Sequence, residues 1–383
     1  MLAKTYFGLE QVLLEELKAL GALNPVALNR AVQFEGNTEL LYKCNLHLRT
    51  AVRILKPIVT FEAKDEEELY TNIKSINWSY YMKLENTLAL NGTTSSEYFK
   101  HSKFIALKCK DAIVDQFREK TGDRPNIDID APDIVIDIHI YNTTVTVSLD
   151  SSGETLSKRG YRHHQTAAPI SEALAAGIIA LSGWDKKSTF VDPMCGSGTF
   201  AIEAALMLKN IAPGRLRSFC FENWKEFDEK LWDKVYEESE ANIEDNQCHI
   251  ISSDEDKDAV QIAMDNADSA GVSACIDFST KNIMETKAID DCGTIIINPP
   301  YGERLNNPDD VIPLYQEMGT HLKHNFNGYD AWIISSNFRA LKMVGLRPTR
   351  KIALFNGSLD CRLNKFELYR GSKKDAYKDQ AES

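Results

Sequence analysis

Phe190-Val191-Asp192-Pro193-Met194-Cys195-Gly196-Ser197-Gly198-Thr199-Phe200 decides how the rest of the chain is read. An apolar strand runs into a glycine-rich turn, and a helix pattern follows at once. Glycines let a backbone approach a ligand without an obstructing Cβ, and the helix start offers N–H groups with no partner inside the helix. Alone, the stretch is a weak signal, with a tight strand-to-helix connection that binds nothing as the plain alternative.

Outward from it, segments 189–192, 249–253, 275–278, 294–298 and 331–335 read as short buried strands, most of them separated by helix patterns. That alternation predicts an α/β fold with a parallel, doubly wound sheet. A helix over 169–181 precedes the series. The strand 351–355, the Asn356-Gly357 turn and the segment 360–369 predict an antiparallel hairpin at the sheet edge, with a polar tail after it.

Two stretches at the strand ends give this frame a chemistry. After the second strand, Ser253-Asp254-Glu255-Asp256 places a carboxylate where doubly wound folds hold ribose hydroxyls. The gap from the glycine turn exceeds the roughly 20 residues usual in dinucleotide binders, so an insertion is expected, and 213–246 supplies it. Its Trp224 and Trp232 are expected to pack against the domain. After the fourth strand comes Asn298-Pro299-Pro300-Tyr301. Consecutive prolines fix the backbone and leave carbonyls that no neighbouring N–H claims. An exocyclic base amine could donate to the Asn298 amide oxygen and the Pro299 carbonyl, which draws its nitrogen toward tetrahedral geometry, while Tyr301 stacks on the base. Positioning of this kind lowers a barrier without a strong general base.

Before residue 150 the patterns differ. Residues 1–60 read as a small α+β unit, with a helix through Leu9, Leu13 and Leu17, a strand over 31–35, a helix over 38–49 and an edge strand around Pro57. Residues 61–155 read as helix, strand, helix and a hairpin turning at Asn142-Thr143. A linker at 151–165 leads into the third unit, residues 156–371, with the tail at 372–383.

The net charge of −12 argues against phosphate binding by the whole surface, but two basic islands stand out. One holds Lys103, Lys108, Lys110, Arg118 and Arg124; the other is Lys158-Arg159-Gly160-Tyr161-Arg162-His163-His164. Both are candidate RNA contacts, with a solvated helix face as the plain alternative for the first. Eight cysteines without a C-x-x-C pair read as reduced thiols, and no metal site is expected. Cys195 reads as a small filler, because no base lies near it in sequence. No apolar run approaches the ~20 residues of a membrane span, and Met1–Gly8 lacks a signal core, so a cytoplasmic protein is expected.

The order Asp-Pro-x-Cys-Gly-Ser-Gly, acid, Asn-Pro-Pro-Tyr resembles the class I methyltransferases that modify exocyclic amines. Lys158–Arg162, the run 168–176, Asn298-Pro-Pro-Tyr-Gly-Glu-Arg-Leu305 and Leu359-Asp360-Cys361-Arg362-Leu363 resemble, more closely, the RlmL-type THUMP-containing ribosomal RNA guanine-N2 methyltransferases. The resemblance implies a Rossmann-like methyltransferase domain behind a ferredoxin-like segment and an RNA-gripping THUMP domain. It implies S-adenosyl-L-methionine held by Asp192, Pro193, Cys195, Gly196, Ser197, Gly198 and Thr199, by Asp254 and Glu255, by Asn282 and Ile283, and by Asn298 and Pro169. The target guanine, in large-subunit ribosomal RNA, would lie on Asn298, Pro299, Pro300 and Tyr301. Asn282 stands where relatives commonly carry Asp, and its amide oxygen can take the same hydrogen bond from an adenine amine. The second methyltransferase unit of fused relatives is expected to be absent. Two rival readings are a tRNA guanine methyltransferase and a non-catalytic RNA-binding assembly factor that has kept the fold.

Overall fold

The computed structural model describes residues 1–164, 169–302 and 307–369. Part of the expected Asn298–Leu305 motif, Ala168 and the expected tail lie outside the described residues. The chain divides into two compact units.

The first unit contains residues 1–5, 13–156 and 217–238. Its elements are β1 (Leu2–Thr5), α1 (Glu10–Ala19), β2 (Leu23–Leu28), β3 (Ala31–Glu35), α2 (Thr38–His47), β4 (Ala51–Glu62), α3 (Glu66–Ser75), β5 (Leu88–Ser95), α4 (Ser102–Thr121), β6 (Ile134–Tyr141) and β7 (Thr144–Asp150). One seven-stranded sheet, ordered β2-β3-β1-β4-β7-β6-β5, runs through the two segments read separately from the sequence, 1–60 and 61–155. The strand around Pro57 therefore lies mid-sheet, where an edge strand was expected. Proline is tolerated because β1 pairs β4 only as far as Leu55 and the ladder to β7 shifts register between Pro57 and Val59. Asn142 turns the β6–β7 hairpin in a left-handed conformation (φ 53°).

Residues 217–238 belong to this unit although they follow the glycine turn in sequence. Phe221 stacks on Tyr42 with ring centroids 4.5 Å apart, and Trp232 meets Phe221 edge-on at 5.2 Å. The insertion aromatics thus find their partners in the N-terminal unit. Trp78 is fully buried in the same unit and donates from its indole to Ile73 O at 2.8 Å.

The second unit contains α5 (Glu172–Ser182), β8 (Thr189–Asp192), α6 (Thr199–Leu208), β9 (Ile250–Asp254), α8 (Lys257–Ala270), β10 (Ile276–Thr280), β11 (Gly293–Ile297), α9 (Ile312–Asn325), β12 (Tyr329–Ser335), α10 (Phe338–Met343), β13 (Arg350–Asn356) and β14 (Leu359–Glu367), while α7 (Glu229–Ala241) runs from the first unit into it. The sheet order is β10-β9-β8-β11-β12-β14-β13, parallel up to β12 and antiparallel beyond. Apolar clusters cover both faces: Leu174, Phe200, Ile296 and Leu363 belong to one, and Ile295, Ile297, Tyr315 and Phe366 to the other. A strand buried on both sides is apolar at its centre, which is why β8 and β11 read as short hydrophobic segments, Phe190-Val191 and Ile295-Ile296-Ile297. Open sheets of this kind bind ligands beyond the carboxyl ends of their parallel strands.

Candidate active site

The glycine turn follows β8. Gly196 and Gly198 have φ of 53° and 79°, and a Cβ on Gly198 would sit 2.8 Å from the Ala263 Cβ on α8. Only glycine satisfies both the backbone angle and that close approach. The turn is tied to β9, since the Cys195 N–H donates to Ser253 O at 2.9 Å and the Gly196 N–H to Asp254 Oδ2 at 2.9 Å. Asn266, fully buried on α8, braces it from behind by donating to Ser197 O at 3.1 Å.

Beyond the strand ends lies a cavity of about 320 Å³. Met194, Cys195, Gly196, Ser197, Thr199 and Phe200 form one wall, Asp254 and Glu255 a second, Pro169 and Ile170 a third, and Asn298 and Pro300 a fourth. Most of the residues expected to hold a cofactor therefore meet around one hollow, and Asn298 opens onto it. A larger hollow of about 580 Å³ lies in the first unit beside Leu20, Leu23 and Lys43, far in sequence from these motifs.

Asp192 ends β8 with no exposure, and neither carboxylate oxygen finds a hydrogen bond of full geometry. Burial first, and then the charge of Asp254, push its pKa well above the usual carboxylate range; the nearby backbone of Ala201 and Met194 offsets this only in part. Burial likewise drives the Cys195 thiol upward, with Asp192 adding to it, so the thiol stays protonated and is unsuited to attack.

Five expected cofactor residues lie outside the cavity's lining: Asp192 and Gly198, directly behind or within the turn, and Pro193, Asn282 and Ile283. Asn282 Oδ1 accepts from the Met284 N–H at 2.9 Å, and its Nδ2 donates to Glu255 Oε2 at 2.6 Å. The amide thus caps a short helical turn and orients Glu255. Ile283 is buried in the apolar cluster on the β11–β12 face and does not line the cavity. Pro193 also stays out of its lining.

The acceptor end is built on β11. Tyr301 Oη donates to Asn298 Oδ1 at 2.6 Å, and the Tyr301 ring packs against the core of the unit. A half-buried ring in this position is not presented as a free stacking surface, contrary to the expectation from sequence. Two further residues, missed in the sequence, hold the loop. Tyr315 Oη reaches Pro300 O at 3.2 Å and Ser335 Oγ at 2.7 Å, and Asn337 donates from Nδ2 to Tyr301 O at 3.2 Å. No motif marks them, because each acts through a contact more than ten residues distant.

The second basic island requires correction. Arg159 is 2 % exposed and its Nε lies 3.4 Å from Glu203 Oε1 on α6, an oxygen that also accepts from Tyr161 Oη at 3.2 Å. Arg162 faces Glu172 at 3.5 Å and donates to Ile170 O at 2.9 Å and to Thr199 Oγ1 at 2.7 Å. A buried carboxylate needs a buried cation, so the charges of this motif turn inward; Lys158, His163 and His164 remain exposed.

In the first unit, Lys103, Arg118 and Arg124 are exposed, while Lys108 and Lys110 are half-buried. Arg118 pairs with Asp115 at 3.0 Å, Lys110 with Asp111 at 2.7 Å, and the Lys108 ammonium lies 5.1 Å from the Tyr70 ring centroid. Among the described residues no group of three His, Cys, Asp or Glu side chains could hold a metal, and no helix is long and apolar enough to cross a membrane.

Family models match along the chain: an RlmL ferredoxin-like domain at residues 1–55, a THUMP domain at 63–150 and the RMKL-like methyltransferase domain at 159–365. The chain is 38 % identical to a ribosomal RNA large subunit methyltransferase K/L of Syntrophotalea carbinolica, a match covering 94 % of this chain and 52 % of that protein. It thus spans about half the length of such relatives. A Synechocystis protein, provisionally named an RNA methyltransferase, is 38 % identical with 94 % of this chain and 95 % of that one covered. The crystal structure of SMU.472, provisionally a methyltransferase and solved with SAH, superposes with a TM-score of 0.86 at 34 % identity, covering 97 % of this chain and 98 % of that one. The chain belongs to the RMKL-like methyltransferase family, in the form that carries an RlmL ferredoxin-like domain and a THUMP domain ahead of the methyltransferase domain.

Proposed function

We propose that the protein is an S-adenosylmethionine-dependent methyltransferase that acts in the cytoplasm on the N2 amine of a guanine in 23S ribosomal RNA. The reading rests on one observation above all: Asn298, at the end of β11, lines the same cavity as the glycine turn and Asp254. The donor's shape and charge suit this hollow. Gly196 and Gly198 leave room for close approach, and Asp192 is a buried carboxylate short of hydrogen-bond partners beside that turn. Asp192 and the Cys195–Gly198 turn would hold the methionine end, and Asp254 and Glu255 the ribose. When bound, the donor supplies a methyl group on a positively charged sulfur.

The chain's own residues do the rest. Asn298 Oδ1 and the Pro299 carbonyl accept from the base amine, which localises its lone pair on nitrogen and aims it at the cavity. Tyr315 and Asn337 keep the proline loop from relaxing. The displaced amine proton needs no strong base, since the nitrogen becomes acidic once alkylated. Grip on RNA is assigned to the first half of α4 and the loop before it, where the stretch 98–110 carries Lys100, Lys103, Lys108 and Lys110 and no acid, Lys110 pairing with Asp111 just beyond it. Exposed Tyr98, Phe104 and Leu107 interleave with those charges, a pattern suited to bases as well as phosphates. The names of the relatives favour ribosomal RNA.

Transfer of labelled methyl groups to 23S ribosomal RNA and to tRNA, both from cells lacking the gene, tests the reading. Label at guanine N2 in 23S RNA is expected. Label in tRNA alone would move the substrate, and no transfer with intact RNA binding would favour the assembly-factor reading.

A further inference from the structure

Between residues 338 and 365 the chain carries seven Lys and Arg against one acid, in a protein of net charge −12. Part of this charge is neutralised locally, since Arg339 pairs with Asp309, and Lys365 with Asp330 at 2.8 Å. Arg362 is different. It is exposed and has no carboxylate partner among the described residues, and its guanidinium carbon lies 4.5 Å from the centroid of the Phe338 ring. Its neighbours Cys361 and Leu363 are fully buried in the core, which anchors the strand on either side of it.

Its place in the sheet gives the pair its meaning. Arg362 stands opposite Ser335 in the β14–β12 ladder, at the carboxyl end of β12. That is the edge on which β11 delivers Asn298, because Ile297 pairs with Ile333 two residues earlier. Ser335 bonds Tyr315, which bonds Pro300, and Asn337 bonds Tyr301. Arg362 and Phe338 thus flank Ser335, which bonds Tyr315, and Asn337, which bonds the acceptor loop directly. A guanidinium stacked on an aromatic face loses little conformational freedom and keeps its edge N–H donors for a bidentate contact.

We propose that Arg362, held on Phe338, is a phosphate-binding residue at the acceptor rim that takes the RNA backbone next to the target nucleotide. The inference rests on the RNA methyltransferase reading above. A base must leave its stack to reach Asn298, and the strand that carries it has to be gripped near the point of extrusion.

The test uses the full chain with unmodified 23S ribosomal RNA, wild type beside Arg362→Ala, Arg362→Lys and Phe338→Leu. Filter binding across a salt series, methyl transfer, and calorimetry with S-adenosylhomocysteine are the readouts. For Arg362→Ala, RNA affinity should fall about tenfold, and the slope of log K against log salt should flatten by about 0.7 to 0.9, one phosphate's worth. Product affinity should not move. Arg362→Lys should restore the slope but only part of the affinity, and Phe338→Leu should weaken binding with the slope kept. An active wild type whose RNA affinity and slope are unchanged in Arg362→Ala overturns this inference and leaves the proposed function standing. A wild type that transfers no methyl group to RNA overturns both.

Discussion

Tyr301 Oη donates to Asn298 Oδ1 at 2.6 Å, so the tyrosine of the Asn-Pro-Pro-Tyr loop is bonded to the asparagine on which the proposed chemistry depends. Burial, and after it the neighbouring Cys361, hold the Tyr301 phenol well above its ordinary pKa, which keeps it a donor throughout the neutral range. One lone pair of the amide oxygen is committed to this bond, and the second remains for the base amine. The bond also fixes which end of the amide faces outward.

Tyr301→Phe therefore separates two roles. If the ring served as a stacking platform, the phenylalanine would work as well as the tyrosine. With the hydroxyl orienting Asn298, loss of a hydrogen bond worth about 1 kcal/mol should lower kcat roughly fivefold. Product affinity should be unchanged. Steady-state kinetics on the single variant decide it; a wild-type kcat would return Tyr301 to a stacking role.

Asn298→Ala removes the acceptor itself. Loss of one transition-state hydrogen-bond partner in a preorganised site typically lowers kcat about 100- to 1,000-fold. Because Asn298 occupies only one wall of the cavity, affinity for S-adenosylhomocysteine should stay within a few-fold of wild type. Turnover near wild type would remove Asn298 from its assigned part, whatever the affinity.

The second unit was legible because its parallel strands are buried on both faces: the centres of β8, β11 and β12 read as apolar segments, and motifs follow the first two. Strand β2 escaped notice because Asn24 and Pro25 break its pattern and five of its six residues are exposed, so no alternation marks it. Partners across long sequence gaps were also invisible. Nothing in the run Arg159 to Arg162 says that Glu203, 44 residues on, lies against Arg159, or that Glu172 faces Arg162. A basic cluster in a sequence reports charge, whereas the location of its counter-charge is a property of the fold. The same holds for Trp232, whose packing against Tyr42 follows from a segment that leaves one unit to complete the other.

The inward turn of Arg159 reverses what its charge suggested for a mutant. Arg159→Ala leaves Glu203 buried without its cation, a change that typically costs about 3 to 5 kcal/mol. The expected result is a substantial drop in Tm, with the salt slope of RNA binding unaltered at temperatures where the variant is folded. A flattened slope in a protein of wild-type Tm would put Arg159 on the RNA instead.

Arg162 is expected to act on the cofactor cavity. Its guanidinium ties Ile170 O to Thr199 Oγ1, joining two of the cavity's walls. Arg162→Lys, which keeps the charge opposite Glu172 but cannot span both acceptors, should weaken product binding about tenfold by calorimetry, corresponding to about 1.4 kcal/mol. RNA affinity should change little, and the reverse pattern would exclude the bracing role.

Asp192 gives the protein a pH signature. Its folded pKa is raised, so the folded state prefers the protonated acid. Whatever stability this provides is complete below the unfolded value of 3.8 and is lost as pH rises through the folded pKa. Above the unfolded value the group therefore weighs against the fold, a burden tolerated for the positive ligand it is proposed to meet. Asp192→Asn lifts that burden. Its Tm should exceed wild type near neutral pH, and the advantage should shrink toward zero as the pH falls to the unfolded pKa. Affinity for S-adenosylmethionine should fall at the same time. Thermal melts across the acid-to-neutral range, paired with calorimetry, check both limbs; a variant less stable than wild type at neutral pH would mean that the charged form is welcome in the free protein.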